Sequence, residues 1–513
     1  MTDVLIGQAY FLRFDPKLWA ARQPYAPLGA LYAAACVRAA GFEVALFDAM
    51  LAASETEWAE ALDRHRPAVA VLYEDSFNYL SKMCLLRMRE AAGSMIDAAR
   101  ARGITTVVAG SDASDHPALY LERGATAVVR GEGEVTLPEV LAVLTGRSKA
   151  ALSDIPGLYF RAGPGGLAAT PAREFVRDLD RLPRPAWDLV DVERYRATWM
   201  AHHGYFSMNV VTTRGCPYHC NWCAKPIYGQ RYAARSPESV ADEVAWLRDR
   251  FAPDHLWMAD DIFGLKPGWI ERFAAAVRAR RAVTPFKCLL RADQVTPAVA
   301  HALAAAGCRT AWIGAESGSA RVLDAMEKGI RPEQIGTASR LLHEAGMQVA
   351  FFLQFGYPGE EREDIERTLE MVRQCRPDDI GVSVSYPLPG TPFFERVRAE
   401  LGAKQNWVDS DDLEVMFRAT YTPEFYRTLH AFVHAEFRKR KAADAAARIA
   451  RRPWALRAGD VRRAASWSRH AVAMRYLRVR LDRLERLGHA RATPPPLPML
   501  TPEAAAIPSE QPQ

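Results

Sequence analysis

The sequence predicts an α/β protein built as a doubly wound parallel-sheet domain, a partial (β/α)6 barrel and a helical C-terminal region. Three observations carry this. Short apolar, β-branched runs alternate with helix-period stretches over residues 3–145. The alternation resumes from about residue 206 to 395, and from 396 the pattern is helical only. At 513 residues the chain is too long for one ordinary core.

In the first domain, residues 1–145, the strands are DVLIGQAYF, EVALFDAM, AVAVLYED, TTVVAGSD and TAVVRGEGE, with helical crossovers between them. Ligands of such sheets lie beyond the carboxyl ends of the strands. There the sequence places Glu74-Asp75-Ser76, Gly110-Ser111-Asp112 and Arg130-Gly131-Glu132-Gly133. Residues 146–205 are rich in proline and glycine and read as an ordered linker. The barrel strands are SMNVVTTR, HLWMADD, FKCLLRAD, TAWIGAES, QVAFFLQF and DIGVSVSY, with chemistry expected in the loops that follow them. Residues 396–492 form the helical region, and the Pro-rich stretch 493–513 reads as a disordered tail.

Composition is that of a globular protein, and no run of about 18 apolar residues suggests a membrane span. MTDVLIGQAYFLRFD shows no secretory pattern, so the chain reads as cytoplasmic. The net charge of +5 hides an asymmetry: residues 438–491 carry 17 Lys/Arg against four Asp/Glu. That run has an apolar face at Leu477, Leu481 and Leu484, which suits peripheral contact with anionic lipid or an acidic partner, or plain packing. No stacking or groove-binding motif accompanies the charge, so nucleic acid is not expected.

Cys36, Cys84, Cys288, Cys308 and Cys375 stand singly in apolar surroundings and read as buried hydrophobes. Cys216, Cys220 and Cys223 do not: they share TTRGCPYHCNWCAKPIY in a C-x3-C-x2-C spacing. Structural zinc wants four N/S ligands, and no second pair is near. A cubane iron–sulfur cluster held by three thiolates leaves one iron open for a substrate or cofactor. The loop follows a barrel strand, where catalytic loops sit, which favours the cluster; zinc stays open as the alternative.

VVTTRGCPYHCNWCAKPIYG resembles the cluster loop of the radical S-adenosylmethionine (radical SAM) superfamily. The order of an α/β domain, DLDRLPRPAWDLVD and this loop resembles the superfamily's cobalamin-binding class, and SDDLEVMFRATYTPEFYRTLHAFVHAEFR (410–438) resembles the helical region after the barrel in relatives of the anaerobic magnesium-protoporphyrin ester cyclase. The resemblance implies a [4Fe-4S] cluster on Cys216, Cys220 and Cys223, with S-adenosylmethionine chelating the open iron and the backbone at Trp222 near its adenine. It implies that Asp260 and Asp261 after the second barrel strand, and Glu316 after the fourth, contact S-adenosylmethionine. Arg291 and Asp293 contact it or substrate, or merely pair with each other. Cobalamin is implied between the first domain and the barrel, with Gly110, Gly131 and Gly133 giving its corrin or tail close backbone approach and Ser76 and Ser111 bonding its amides. The D-x-H-x-x-G motif of many cobalamin proteins is missing; the loop reads GQAYFLRFDPK.

The implied activity is reductive cleavage of S-adenosylmethionine followed by methylation of an unactivated carbon in a small molecule, an apolar one suiting the basic amphipathic C-terminal end, with a flavodoxin, ferredoxin or reductase as electron donor. The alternatives are oxidation or cyclisation without methyl transfer, and a non-catalytic iron–sulfur or cobalamin-binding protein. Tyr421, Phe425 and Tyr426 beyond the barrel would close over substrate or sit in the core.

Overall fold

The structure is a computed structural model that describes residues 2–78, 83, 85–163, 166–223, 228, 230–451, 454 and 458–489. Cys84, part of the loop after Asp75 and the Pro-rich tail lie outside these residues.

The first sheet contains β1 (Val4–Gly7), β2 (Val44–Phe47), β3 (Val69–Tyr73), β4 (Thr105–Ala109) and β5 (Ala127–Val129), all parallel, in the order β2-β1-β3-β4-β5. These strands are near-continuously apolar because helices cover both faces. The order reverses between β1 and β3, the switch point at which ligands of such sheets are expected, and here the Ala9 N–H of the loop after β1 donates to Glu74 after β3.

The stretch expected as a linker does more than connect. β6 (Leu158–Arg161) pairs antiparallel with β5, and β7 (Leu167–Ala169) pairs with β6, extending the sheet to seven strands. Both are short, and most of their residues are not buried, so neither shows the apolar run by which the other strands are recognised. The helix Val192–His203 then leads into the barrel, with Asp191 accepting from the Arg194 N–H at its start.

The second sheet is parallel throughout: β8 (Ser207–Val210), β11 (His255–Met258), β12 (Phe286–Leu290), β13 (Cys308–Glu316), β14 (Gln348–Phe355) and β15 (Asp379–Val384) stand side by side in that order. Among the described residues β15 and β8 do not pair, so this is the partial barrel the sequence predicts. Alternate residues such as Leu256, Met258, Cys288, Ile313, Phe351 and Val382 are buried under helices, while Trp257, Lys287, Trp312 and Phe352 project to the other side. Between β8 and β11 lies a two-stranded ladder, β9 (Thr213–Arg214) with β10 (Ala233–Ala234).

Cys36, Cys288 and Cys308 are buried as expected, and Cys375 is half-buried. Tyr421, Phe425 and Tyr426 stack together and are buried, which makes them core. The helices Pro423–Arg451 and Trp467–His489 pack on each other, and Leu481 is buried with Leu477 and Leu484 beside it. Among the described residues no helix is long and apolar enough to cross a membrane.

Candidate functional site

The cysteine loop is framed before it is filled. Antiparallel pairing of Arg214 with Ala233 and of Thr213 with Ala234 closes residues 215–232 into a loop beyond the end of β8. Gly215 has φ +72°, and a Cβ there would stand 2.2 Å from the Arg231 carbonyl oxygen, so this turn requires glycine. Cys216, Cys220 and Cys223 are half-buried on it.

Two residues the sequence reading missed fix this loop. Asn221 is fully buried; its side chain donates to the Ala325 carbonyl at 2.9 Å and accepts from the Tyr357 hydroxyl at 2.9 Å. Its backbone N–H donates to the Met326 carbonyl and its carbonyl accepts from Phe393 N–H, so it ties the loop to segments following β13 and β15. Arg214, two residues before Cys216, reaches the first domain: its guanidinium donates to Glu132 at 2.8 Å and to Glu134 at 2.6 Å, with all three side chains buried. Its partners stand about eighty positions away, so no local pattern announces the contact.

Asp260 has a positioning role. Its Oδ1 accepts from the Thr212 and Thr213 N–H groups at 2.7 and 2.8 Å, and its Oδ2 from the Thr212 hydroxyl at 2.6 Å. Burial pushes its carboxyl up to about 6 against those bonds. These contacts engage both oxygens, so Asp260 orients the entry to the cysteine loop. Asp261 beside it is half-buried.

Cations surround Cys220. Arg291 lies 3.9 Å from its sulfur, stacks over the Tyr218 ring at 3.6 Å, and is itself held by Asp293 at 3.0 Å and the Lys328 carbonyl at 2.9 Å. Arg291 and Asp293 thus pair with each other, and the arginine also faces the thiol. Lys328, also missed, is buried 3.0 Å from Glu316 and lies 5.8 Å from the Trp222 ring centre. Burial opposes its charge, yet Glu316 and Cys220 hold its pKa above lysine's ordinary value. Glu316 adopts φ +58°, where β13 slips register against β14, and so occupies a left-handed conformation that a glutamate rarely takes. A Cβ on Gly314 would stand 2.8 Å from both the Glu316 carboxylate and the Lys328 ammonium, so that glycine makes room for the pair.

Glu360, after β14, is fully buried; one oxygen accepts from Gly356 N–H at 2.6 Å, the other has no partner, and burial pushes its carboxyl up to about 8. The indole N–H of Trp222 is likewise buried without a partner.

At the carboxyl edge of the first sheet, two of the three glycines are required by the protein's own packing. A Cβ on Gly110, at φ +149°, would stand 2.6 Å from the Glu74 Cβ, and one on Gly133 would stand 2.5 Å from the Tyr73 ring. Those glycines admit the protein's own side chains. Gly131, at φ +81°, donates to the Ser114 hydroxyl at 3.3 Å. Ser76 is buried, and Ser111 is buried at the start of the short helix Ser111–Asp115. Three buried groups at this edge have an unsatisfied atom: Glu74 accepts from Ala9 N–H at 2.9 Å through one oxygen while its other oxygen has no partner, the Tyr10 hydroxyl has none, and one Glu134 oxygen has none. Burial pushes Glu74 up to about 8.

A B12 binding domain matches residues 20–141, and the radical SAM superfamily matches residues 210–372. The chain thus carries a B12-binding domain followed by a radical SAM domain. It is 30% identical over 284 residues to an uncharacterized methyltransferase of Pyrococcus horikoshii, covering 55% of this chain and 60% of the relative. It is 29% identical over 290 residues to the anaerobic magnesium-protoporphyrin IX monomethyl ester cyclase of Rubrivivax gelatinosus, covering 54% and 49%. The chain thus spans about half to three-fifths of these curated relatives.

Its fold is that of the radical SAM methyltransferase TsrM from Kitasatospora setae, solved with cobalamin and a [4Fe-4S] cluster (TM-score 0.65, 22% identity, 79% of each chain). It is also that of the cobalamin-dependent radical SAM enzyme OxsB (TM-score 0.70, 17% identity, 93% of this chain and 72% of that one).

These domains imply a [4Fe-4S] cluster, S-adenosylmethionine and cobalamin, and the donor chemistry fits. Three thiols stand on one glycine-turned loop among cations. Among the described residues, no three His, Cys, Asp or Glu side chains are gathered to ligate a single ion. The unpartnered Glu74 oxygen at the carboxyl edge of the first sheet suits the amide group of a corrin side chain.

Proposed function

We propose that this chain is a cobalamin-dependent radical SAM methyltransferase acting on a small molecule, supplied with electrons by an external one-electron donor such as a flavodoxin or ferredoxin. The observation that carries this reading is the Arg214 bridge. It joins the loop bearing the cysteines to the loop after β5, so the carboxyl edges of the two sheets face each other across buried ion pairs. Methyl transfer needs those two cofactor sites adjacent, with water excluded between them.

When bound, the cluster and cobalamin would supply reductive cleavage of S-adenosylmethionine and methyl transfer, chemistry outside the reach of amino-acid side chains. The chain supplies ligation, orientation and charge. Cys216, Cys220 and Cys223 would ligate the cluster through their sulfurs. Arg291 and Lys328 place positive charge beside Cys220, offsetting the negative charge of thiolate ligation. Glu316, fixed by Lys328 and by its backbone conformation, presents a carboxylate suited to the polar groups of S-adenosylmethionine. Asp260 and Asn221 hold the loop in place.

Substrate would enter the inner side of the barrel. Phe352 is 37% exposed in mid-strand and stacks on Trp312 at 4.6 Å, and Lys287 lies 5.4 Å from the Trp257 ring centre. That surface suits a flat apolar body carrying an acidic group.

A second reading, radical oxidation or cyclisation without methyl transfer, is favoured by the similarity to the Rubrivivax cyclase. Anaerobic incubation of reconstituted protein with reductant and S-adenosylmethionine, followed by mass spectrometry, separates the two. S-adenosylhomocysteine together with 5′-deoxyadenosine supports methyl transfer; 5′-deoxyadenosine alone, with no cobalamin retained, overturns it.

A further inference from the structure

The C-terminal helix Trp467–His489 has two faces, and the function above uses neither. Its leucine face, for which the sequence leaves lipid, an acidic partner or plain packing open, is packed against the helix Pro423–Arg451. The opposite face is bare. Arg469, Val472, Tyr476, Val479, Arg483 and Arg486 follow one another at spacings of three, four, three, four and three residues, which stacks them in one row along the helix. Every one of them is exposed.

Trp454, Val472, Val479 and Tyr476 are the four most exposed large hydrophobic side chains among the described residues, at 81%, 69%, 69% and 64%. A globular surface has no reason to hold a valine–tyrosine–valine row in water unless something covers it. Arg475 flanks the row, and among the described residues Arg469, Arg475 and Arg483 form no ion pair.

We infer that this face rests on an anionic lipid surface, with Val472, Tyr476 and Val479 entering the headgroup region and the arginines meeting lipid phosphates. The charge pattern selects this occupant over a second copy of the helix. In a self-paired seam the arginines at the two ends of the row would face one another, whether the helices ran parallel or antiparallel. A flat anionic surface instead satisfies every arginine at once, and a short apolar row between cations is the pattern of helices that lie in a membrane interface. The long, basic segment 438–491 supports the same sign of partner.

The test is co-sedimentation of the reconstituted full chain with vesicles of phosphatidylcholine, and with vesicles in which a third of that lipid is replaced by phosphatidylglycerol. The expected result is at least roughly tenfold tighter binding to the anionic vesicles, lost at high salt. Val472→Glu with Val479→Glu should abolish binding, and Arg475→Gln with Arg483→Gln should reduce it to the neutral-vesicle level. All four side chains are exposed, so the melting temperature reports that both variants fold. Equal binding to both vesicle types, no binding to either, or unchanged binding in the variants overturns the inference. A fall in oligomeric mass in the valine variant without vesicle binding assigns the face to self-association. None of these outcomes depends on turnover, so they stand apart from the methyltransferase assay.

Discussion

The carboxyl edges of the two sheets face each other and are built from opposite materials. At the edge of the first sheet the buried side chains are largely carboxylates: Glu74, Asp75, Asp112, Glu132 and Glu134. The barrel's cysteine loop instead has cations built into and against it: Arg214 at its base, and Arg291 and Lys328 beside Cys220. The difference teaches how such a site is assembled. A cluster ligated by thiolates needs positive neighbours, whereas a crevice for a neutral macrocycle rimmed with amides needs acceptors. Arg214 belongs to the barrel by sequence and to the first domain's charge balance by contact.

The strongest test of that contrast is removal of the thiols. Cys216→Ala, Cys220→Ala or Cys223→Ala should each abolish iron retention and 5′-deoxyadenosine formation while the circular-dichroism spectrum persists. Deoxyadenosine formed by any of them breaks the assignment of the barrel edge.

Next in size is Arg214→Met, which strands two buried carboxylates. The expected loss is about 3–5 kcal/mol, read as a shift in the urea midpoint. Adding Glu132→Gln and Glu134→Gln to that variant should recover part of it. A loss below about 1 kcal/mol would mean that the two edges are not coupled through this bridge.

Glu74 sharpens the comparison through pH. Its carboxyl is raised by burial to about 8 from an ordinary 4.5, so the folded chain holds a proton that the unfolded chain releases across that interval. Stability should therefore fall as pH rises from about 5 to 8, by up to about 1.4 kcal/mol per unit, and Glu74→Gln should flatten that slope. An identical slope in the variant would show that Glu74 is ionised in the fold.

The smallest expected effect is on ligand handling at the barrel edge. Lys328→Met leaves Glu316 without its cation, and the S-adenosylmethionine concentration for half-maximal cleavage should rise about tenfold, equivalent to about 1.4 kcal/mol. An unchanged value would assign Glu316 a purely structural role.

The same two edges explain what could be read from sequence. The strands were legible because apolar runs alternate with helical periodicity, and the three cysteines because they fall within eight residues. β6 and β7 were not, since short strands with few buried residues in a proline- and glycine-rich stretch carry no alternation signal. The supporting shell was equally hidden. Asn221 looks like a spacer between Cys220 and Trp222, and Lys328 sits in an ordinary loop; only tertiary contacts give them roles. Asp260 and the glycines at 110 and 133 are legible as special, but the backbone anchoring and close packing they serve within the fold are not, because those demand the same residue types as a ligand would.

The Arg214 bridge also bears on the order in which the protein matures. The guanidinium stands at the base of the loop that carries the three cysteines, and its carboxylates arrive from a domain synthesised earlier on the ribosome. A barrel folded alone would own every thiol yet would lack the two carboxylates that fix the base of their loop. Docking of the two domains is therefore expected to precede cluster delivery, so that assembly of the chain itself acts as the checkpoint for loading its metal.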